Sequence, residues 1–178
     1  MKVAIKYKDE ILLNFYLDED DITVRRKKDC VMKKFKAHDI VIPYKYTGKS
    51  KINYGGVHVP KTRTTIGYHW LLVLLRGLTF DEKSVIDHID GDPTNNTRSN
   101  LRVVTQQVNC KNSKMRSSNT SGYNGLTFHK PTGRFVVRRA IAGKRIWKSA
   151  KTKEEAIKLW KELEILALAD GYTERHGK

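Results

Sequence analysis

From Tyr68 to Arg76 the chain reads YHWLLVLLR, an almost unbroken apolar run closed by Gly77, and this pattern predicts a buried helix. Ahead of it, up to about residue 60, apolar residues come only in short clusters such as Ile11-Leu12-Leu13, Ile22-Thr23-Val24 and Ile40-Val41-Ile42. Segments rich in Asp, Lys and Gly separate them, so small strands and loops are expected there. Behind the helix, Val85 and Ile86 lead into Asp87 and His88, which places the latter pair at the end of a strand. Asp90-Gly91-Asp92-Pro93 carries strong turn chemistry, and Leu101-Arg102-Val103-Val104 reads as the returning strand. Thr105 then suits the N-cap of a short helix through Gln106, Gln107, Val108 and Asn109.

The pattern changes again after residue 110. KNSKMRSSNTSG, residues 111–122, is small, polar and basic, and reads as a flexible linker that is either disordered or ordered only along a polyanion. Beyond it, residues 125–129, 134–141 and 144–148 form three expected strands, separated by KPTG and Ala142-Gly143 turns. Period-2 alternation puts Phe135, Val137 and Ile141 on one side, with Arg134, Val136 and Arg138 on the other. Thr152 and Glu155 make a capping box, and Ala156, Leu159, Trp160, Leu163, Leu166 and Ala167 recur at helical spacing before Gly171. The expected class is α+β: a region over 1–110 with a strand-strand-helix core at 85–112, a linker over 111–122, and a three-stranded antiparallel sheet packed on one helix over 123–178.

Composition narrows what such a chain does. With 178 residues and 39% hydrophobic content it can build modest cores, while the absence of a long apolar run or a signal-peptide pattern predicts a cytoplasmic protein that does not engage membranes. Cys30 and Cys110 are isolated, so neither a disulfide framework nor a cysteine zinc site is expected. The formal net charge of +16 predicts attraction to a polyanion. Its placement says more, because no Asp or Glu occurs between Asp92 and Glu154 while Arg98, Arg102, Lys111, Lys114, Arg116 and many further cations do. That stretch suits a phosphate backbone. Arg25-Arg26-Lys27-Lys28 and Lys33-Lys34-Phe35-Lys36 fit either nucleic-acid contacts or solvated faces, and His69 either a phosphate contact or a packed ring.

The segment VIDHIDGDPTNNTRSNLRVVTQQVNCKN, residues 85–112, gathers Asp87, His88, Asn100 and Asn109 within one short unit. It resembles the HNH nuclease motif, the ββα-metal fold, in the form found in phage and intron-encoded homing endonucleases. The resemblance implies that Asp87 and Asn109 are metal ligands, that His88 is the general base, and that Asn100 fixes His88 and the loop. These residue types suit the task. Phosphodiester hydrolysis needs a nucleophile made from water and stabilisation of charge at the phosphate, and a base and one cation divide that work. The ordinary imidazole pKa of about 6.5 makes a neutral base available near pH 7. Oxygen ligands from Asp and Asn favour Mg²⁺ or Mn²⁺, and no zinc is expected.

In the last third, YNGLTFH, TGRFVVRRA, GKRIW and the TKEEAIKLW helix resemble the plant APETALA2/ethylene-response-factor DNA-binding domain. That family reads DNA with its sheet, which implies that Thr127, His129, Arg134, Arg138, Arg145 and Trp147 face the duplex. The plant domains carry arginines where Thr127 and His129 stand and an acidic residue where Arg138 stands, so their target sequence does not transfer. Trp160 and Phe135 fit core positions, whereas Trp147 fits either packing or a sugar or base contact. Together the resemblances imply a homing-type DNA endonuclease of a phage-infected bacterial cell, acting as a monomer on double-stranded DNA and nicking one strand. The alternatives from other classes are a non-catalytic DNA-binding regulator that uses the C-terminal sheet, and a basic RNA-binding protein.

Overall fold

A computed structural model describes residues 2–29, 34–44, 54–173 and 176. Cys30 and Lys33 lie outside these. The chain divides into two compact units, Met1–Gln106 and Gln107–Lys178.

In the first unit the N-terminus corrects the expectation of strands and loops, because it forms two short helices, α1 (Lys2–Lys6) and α2 (Lys8–Asn14). The reason lies in the spacing of buried positions. Ala4, Ile11 and Phe15 are fully buried, with Val3, Tyr7 and Leu12 packed against the same core, which is a helical stripe. Leu13, which made Ile11-Leu12-Leu13 look like a strand, points outward. Two hairpins follow. In the first, β1 (Phe15–Leu17) pairs with β2 (Val24–Arg26); in the second, β3 (Gly56–His58) pairs with β4 (Thr65–Gly67). The basic run at 25–28 is used locally: Arg25 bonds Asp18, Arg26 lies over the Phe35 ring at 3.9 Å, and the Lys27 ammonium donates to the Leu12 carbonyl.

The apolar run forms α3 (Tyr68–Leu75), and everything from Tyr68 to Leu74 is buried, so this helix is the centre of the core. Its tyrosine also joins it to the first hairpin, because the Tyr68 hydroxyl donates to the Ile22 carbonyl at 2.8 Å. The chain then forms the antiparallel hairpin of β5 (Ser84–His88) and β6 (Leu101–Thr105), in which Asp87 stands opposite Arg102 and His88 opposite Leu101. The short helix α4 (Gln106–Cys110) follows Thr105 directly.

In the second unit β7 (Leu126–His129), β8 (Arg134–Ile141) and β9 (Lys144–Ala150) form a three-stranded antiparallel sheet in that order. Ala142 and Gly143, both at positive φ, make the tight turn that suits a right-twisted hairpin. One face carries Leu126, Val137 and Ala150 onto α5 (Lys153–Ala169), where Ala156 and Leu163 complete a core flanked by Phe135 and Trp160. The Thr152 and Glu155 capping box is formed as the sequence expects. At Gly125 the backbone has φ +82° and passes so close to β8 that a Cβ there would lie 2.2 Å from the Arg138 carbonyl oxygen. No other residue fits that approach.

Two expectations about the basic stretch change here. Lys111 and Asn112 are built into this unit rather than loose: Asn112 is buried and accepts from the Thr173 hydroxyl, and the Lys111 ammonium bonds the Asp170 carboxylate at 2.9 Å. Arg139, one of the further cations of the carboxylate-free stretch, lies on the inner face of the sheet, paired with Glu164 and set against the Trp160 ring. Its neighbour Arg138 stays on the outer face, as alternation demands.

Candidate functional site

The β5–β6 hairpin buries its polar residues rather than displaying them. Asp87 is 4% exposed, His88 6% and Asn100 7%. Buried polar groups must find partners, and their partners define the site. The Asn100 side chain uses both ends of its amide on the connecting loop. Its Oδ1 accepts from the Asp90 N–H at 3.0 Å, while Nδ2 donates to Asp90 Oδ1 at 2.9 Å and to the Asn95 carbonyl at 2.7 Å. Asn95 closes the knot by donating to Asp90 Oδ2. Hydrogen bonds hold the Asp90 carboxyl below the usual carboxylate range, foremost the one from the Asp92 N–H. Asn100 therefore fixes the loop.

The partner of the imidazole is a different residue. His88 Nε2 lies 3.3 Å from Asn96 Oδ1, and Asn96 Nδ2 donates to the Thr94 carbonyl. That second bond orients the amide, because a carbonyl only accepts. Oδ1 then faces His88 Nε2 as an acceptor, an arrangement that favours the tautomer with the proton on Nε2. Asn100 was expected to fix His88 and the loop; its side chain bonds the loop that carries Asn96, and its carbonyl accepts from the Ile89 N–H next to His88. Position 96 sits in an Asn-rich polar loop, and no spacing rule distinguished it from its neighbours.

Two rings form a wall beside the base. Tyr54 stacks near His88 at 6.1 Å between centroids, and His69 approaches it edge-on at 5.8 Å. His69 is the packed histidine of the two readings, and burial pushes its pKa down to about 3, with the neighbouring His88 acting in the same direction. It is neutral wherever the protein is folded near pH 7. Gly67 makes room for it, since a Cβ at that position would meet His69 Cε1 at 2.8 Å.

Asp87 has a neighbour that sequence reasoning assigned elsewhere. Arg102 was expected to contact DNA, but across the strand pair its Nε and Nη2 both donate to Asp87 Oδ2, at 2.8 and 2.6 Å. The guanidinium occupies the kind of place that a metal cation takes against a buried carboxylate, and in that sense the donor fits a hard ion. Among the described residues no cluster of three His, Cys, Asp or Glu side chains forms a metal site. Asn109, the other expected ligand, lies half-buried in α4 and belongs to the second unit.

The second unit displays what the first one hides. Thr127, His129, Arg134, Arg138, Arg145 and Trp147 all stand exposed on the sheet face away from α5. Trp147 is 60% exposed, with the Arg138 guanidinium 4.6 Å above its ring. His129 Nδ1 is within 2.8 Å of the Thr132 hydroxyl. Lys114 and Arg116 are exposed and line a cleft of about 700 Å³ with Asn119, Tyr172 and His176. Lys111 also borders that cleft, with its ammonium on the Asp170 carboxylate.

Comparison with known proteins bears on the first unit's hairpin. A family model described as HNH endonuclease matches residues 79–111. Protein 3.8 of Escherichia phage T7 is 49% identical over 45 residues, which are 25% of this chain. The chain spans 37% of that phage protein's length. No solved structure matches. The matched segment supports a nuclease or DNA-binding role, and no helix among the described residues is long and apolar enough to cross a membrane.

Proposed function

We propose that the chain is a homing-type DNA endonuclease that hydrolyses one strand of a duplex at a preferred site. The observation that carries this reading is the buried His88, held by Asn96 and next to Asp87, on a hairpin within the segment similar to HNH endonucleases. His88 accepts a proton from the attacking water, and Asn96 holds the ring for that transfer. Asn100 keeps the loop from 90 to 100 in one conformation. Asp87 and Asn109 would hold one Mg²⁺ or Mn²⁺, which supplies charge stabilisation at the scissile phosphate and leaving oxygen. Arg102 neutralises Asp87 in the absence of a cation and would turn to the substrate's phosphates once a cation took its place. The products are a 5′-phosphate and a 3′-hydroxyl.

The division of work follows the proposed domains, a nuclease region over 1–110, a basic connection over 111–122 and a reader over 123–178. Arg134, Arg138, Arg145 and Trp147, with Thr127 and His129, form the reader's face. Lys114 and Arg116 add backbone contacts. Working as a monomer with one active site, the protein nicks, in the cytoplasm of a phage-infected bacterium.

A second reading, a DNA-binding regulator without catalysis, is favoured by one observation, the Arg102 guanidinium seated on Asp87. End-mapping sequencing of phage and host DNA after incubation with Mg²⁺ separates the two readings, run beside His88→Ala and an EDTA control. Ends that recur at one motif and vanish in both controls establish the nickase. Tight duplex binding without protein-dependent ends establishes the regulator.

A further inference from the structure

Arg76 closes α3 with a side chain that is 0% exposed, an expensive place for a guanidinium. If its role were only to finish the helix core, an apolar side chain of similar volume would serve as well without desolvating a charge. What it touches explains it better. Nη2 donates to the Asp21 carbonyl at 2.5 Å and to the Asn96 carbonyl at 3.0 Å, and Nε lies 3.2 Å from the Asp21 carboxylate. Asp21 is in turn shared with Arg98, and its backbone is held at φ +58°, a conformation that a non-glycine residue adopts only when its surroundings impose it.

We propose that Arg76 is a positioning residue for the His88 base, acting through Asn96; this rests on the nuclease reading for its functional meaning. The chain of contacts runs in one direction. α3 is the most deeply buried helix of its unit and supplies a fixed origin. The planar guanidinium transfers that fixed position to the backbone of Asn96, at the far side of a polar loop that has little apolar anchoring of its own. The Asn96 amide, fixed at its backbone and oriented by Thr94, then holds the His88 ring at Nε2 and is expected to favour its Nε2–H tautomer. A lysine at 76 keeps the charge, but its single ammonium nitrogen would have to serve the Asp21 carboxylate and both carbonyls, work that Nε and Nη2 divide in the guanidinium.

The test is a long-range ¹H–¹⁵N spectrum of the histidine rings in the full-length ¹⁵N-labelled protein, for wild type, Arg76→Lys and Asn96→Ala. Single-turnover and steady-state cleavage of a nicked-site duplex with Mg²⁺ accompanies it. Wild type is expected to show His88 as Nε2–H alone, and both variants a mixture of tautomers. Both should lower kcat by about tenfold to a hundredfold with KM for the duplex unchanged. The double variant should be no worse than either single one, as expected of residues in one chain of contacts. A folded Arg76→Lys that keeps the wild-type His88 spectrum overturns the proposal. Should Arg76→Lys fail to fold, Asn96→Ala still decides, because an unchanged His88 tautomer in that variant also overturns it. Absence of cleavage by wild type with any divalent metal counts against the nuclease reading instead, and leaves the spectral comparison to judge the clamp.

Discussion

The β5–β6 hairpin and the β7–β9 sheet are built from the same element, an antiparallel pairing of strands rich in β-branched residues, and treat their polar side chains in opposite ways. The hairpin buries Asp87, His88 and Asn100 and saturates the loop with hydrogen bonds, so that each chemical group has one position. The sheet leaves Arg134, Arg138, Arg145 and Trp147 in solvent and buries only Arg139, which is paired with Glu164. Chemistry at a bond rewards groups that need no reorganisation, whereas recognition of a polyanion rewards cations that remain hydrated until they meet phosphate. Burial alone thus separates the part suited to reacting from the part suited to holding.

That contrast is open to direct attack. The largest effect is expected from His88→Ala, which should reduce cleavage by about 10²–10⁴-fold while leaving duplex affinity as it is. Equal losses of cleavage and affinity, measured by single-turnover kinetics and by fluorescence anisotropy, would erase the distinction. Next comes Glu164→Ala, which strands the Arg139 guanidinium beneath the sheet and should destabilise the second unit by about 3–5 kcal/mol in chemical denaturation. A change near zero would mean that Arg139 swings out and joins the exposed cations.

Acid sharpens the comparison at the buried end. The folded-state pKa of His69 lies at about 3, below the usual 6.5, so the unfolded chain binds the extra proton first. The stability contributed by its neutral form is complete above about pH 6.5 and is lost as pH falls towards 3, at up to about 1.4 kcal/mol per pH unit. Urea titrations between pH 7 and 4 should show this fall, and His69→Leu should flatten it; equal slopes would place the acid sensitivity elsewhere. At the exposed end, replacing Arg134, Arg138 and Arg145 by alanine should lower the salt dependence of duplex binding by about 0.9 for each phosphate contact removed. An unaltered slope would leave the sheet face without a role in affinity. The smallest effect is expected from Thr152→Ala, about 1 kcal/mol of stability lost with the capping box, with no change in cleavage.

How far the sequence could be read depended on whether its signals were local. The sheet and its helix were legible because alternation, turn residues and a capping box are written within a few positions of one another. Asp87, His88 and the turn after them were legible for the same reason. The N-terminal helices were not, because α1 and α2 are short and their buried stripe of Ala4, Ile11 and Phe15 is diluted by charged residues that lie between them. Asn96 and Tyr54 were invisible in a different sense. Nothing in their own neighbourhood marks them, and they matter only because a loop and a distant strand entry bring them to the His88 ring. The partners of Arg102 and Arg139 were illegible because a run of cations carries no information about which members a carboxylate will capture across a strand or a helix.

The close approach at Gly125 sets a boundary on how the exposed face of the β7–β9 sheet can be altered. Because any side chain there would drive the first strand away from the Arg138 carbonyl, that glycine anchors the alignment of Thr127 and His129 with the strand beside them. A library that varies this face would therefore randomise Thr127, His129, Arg145 and Trp147 freely and hold position 125 constant, since diversity at that one point would yield misfolded clones instead of new surfaces.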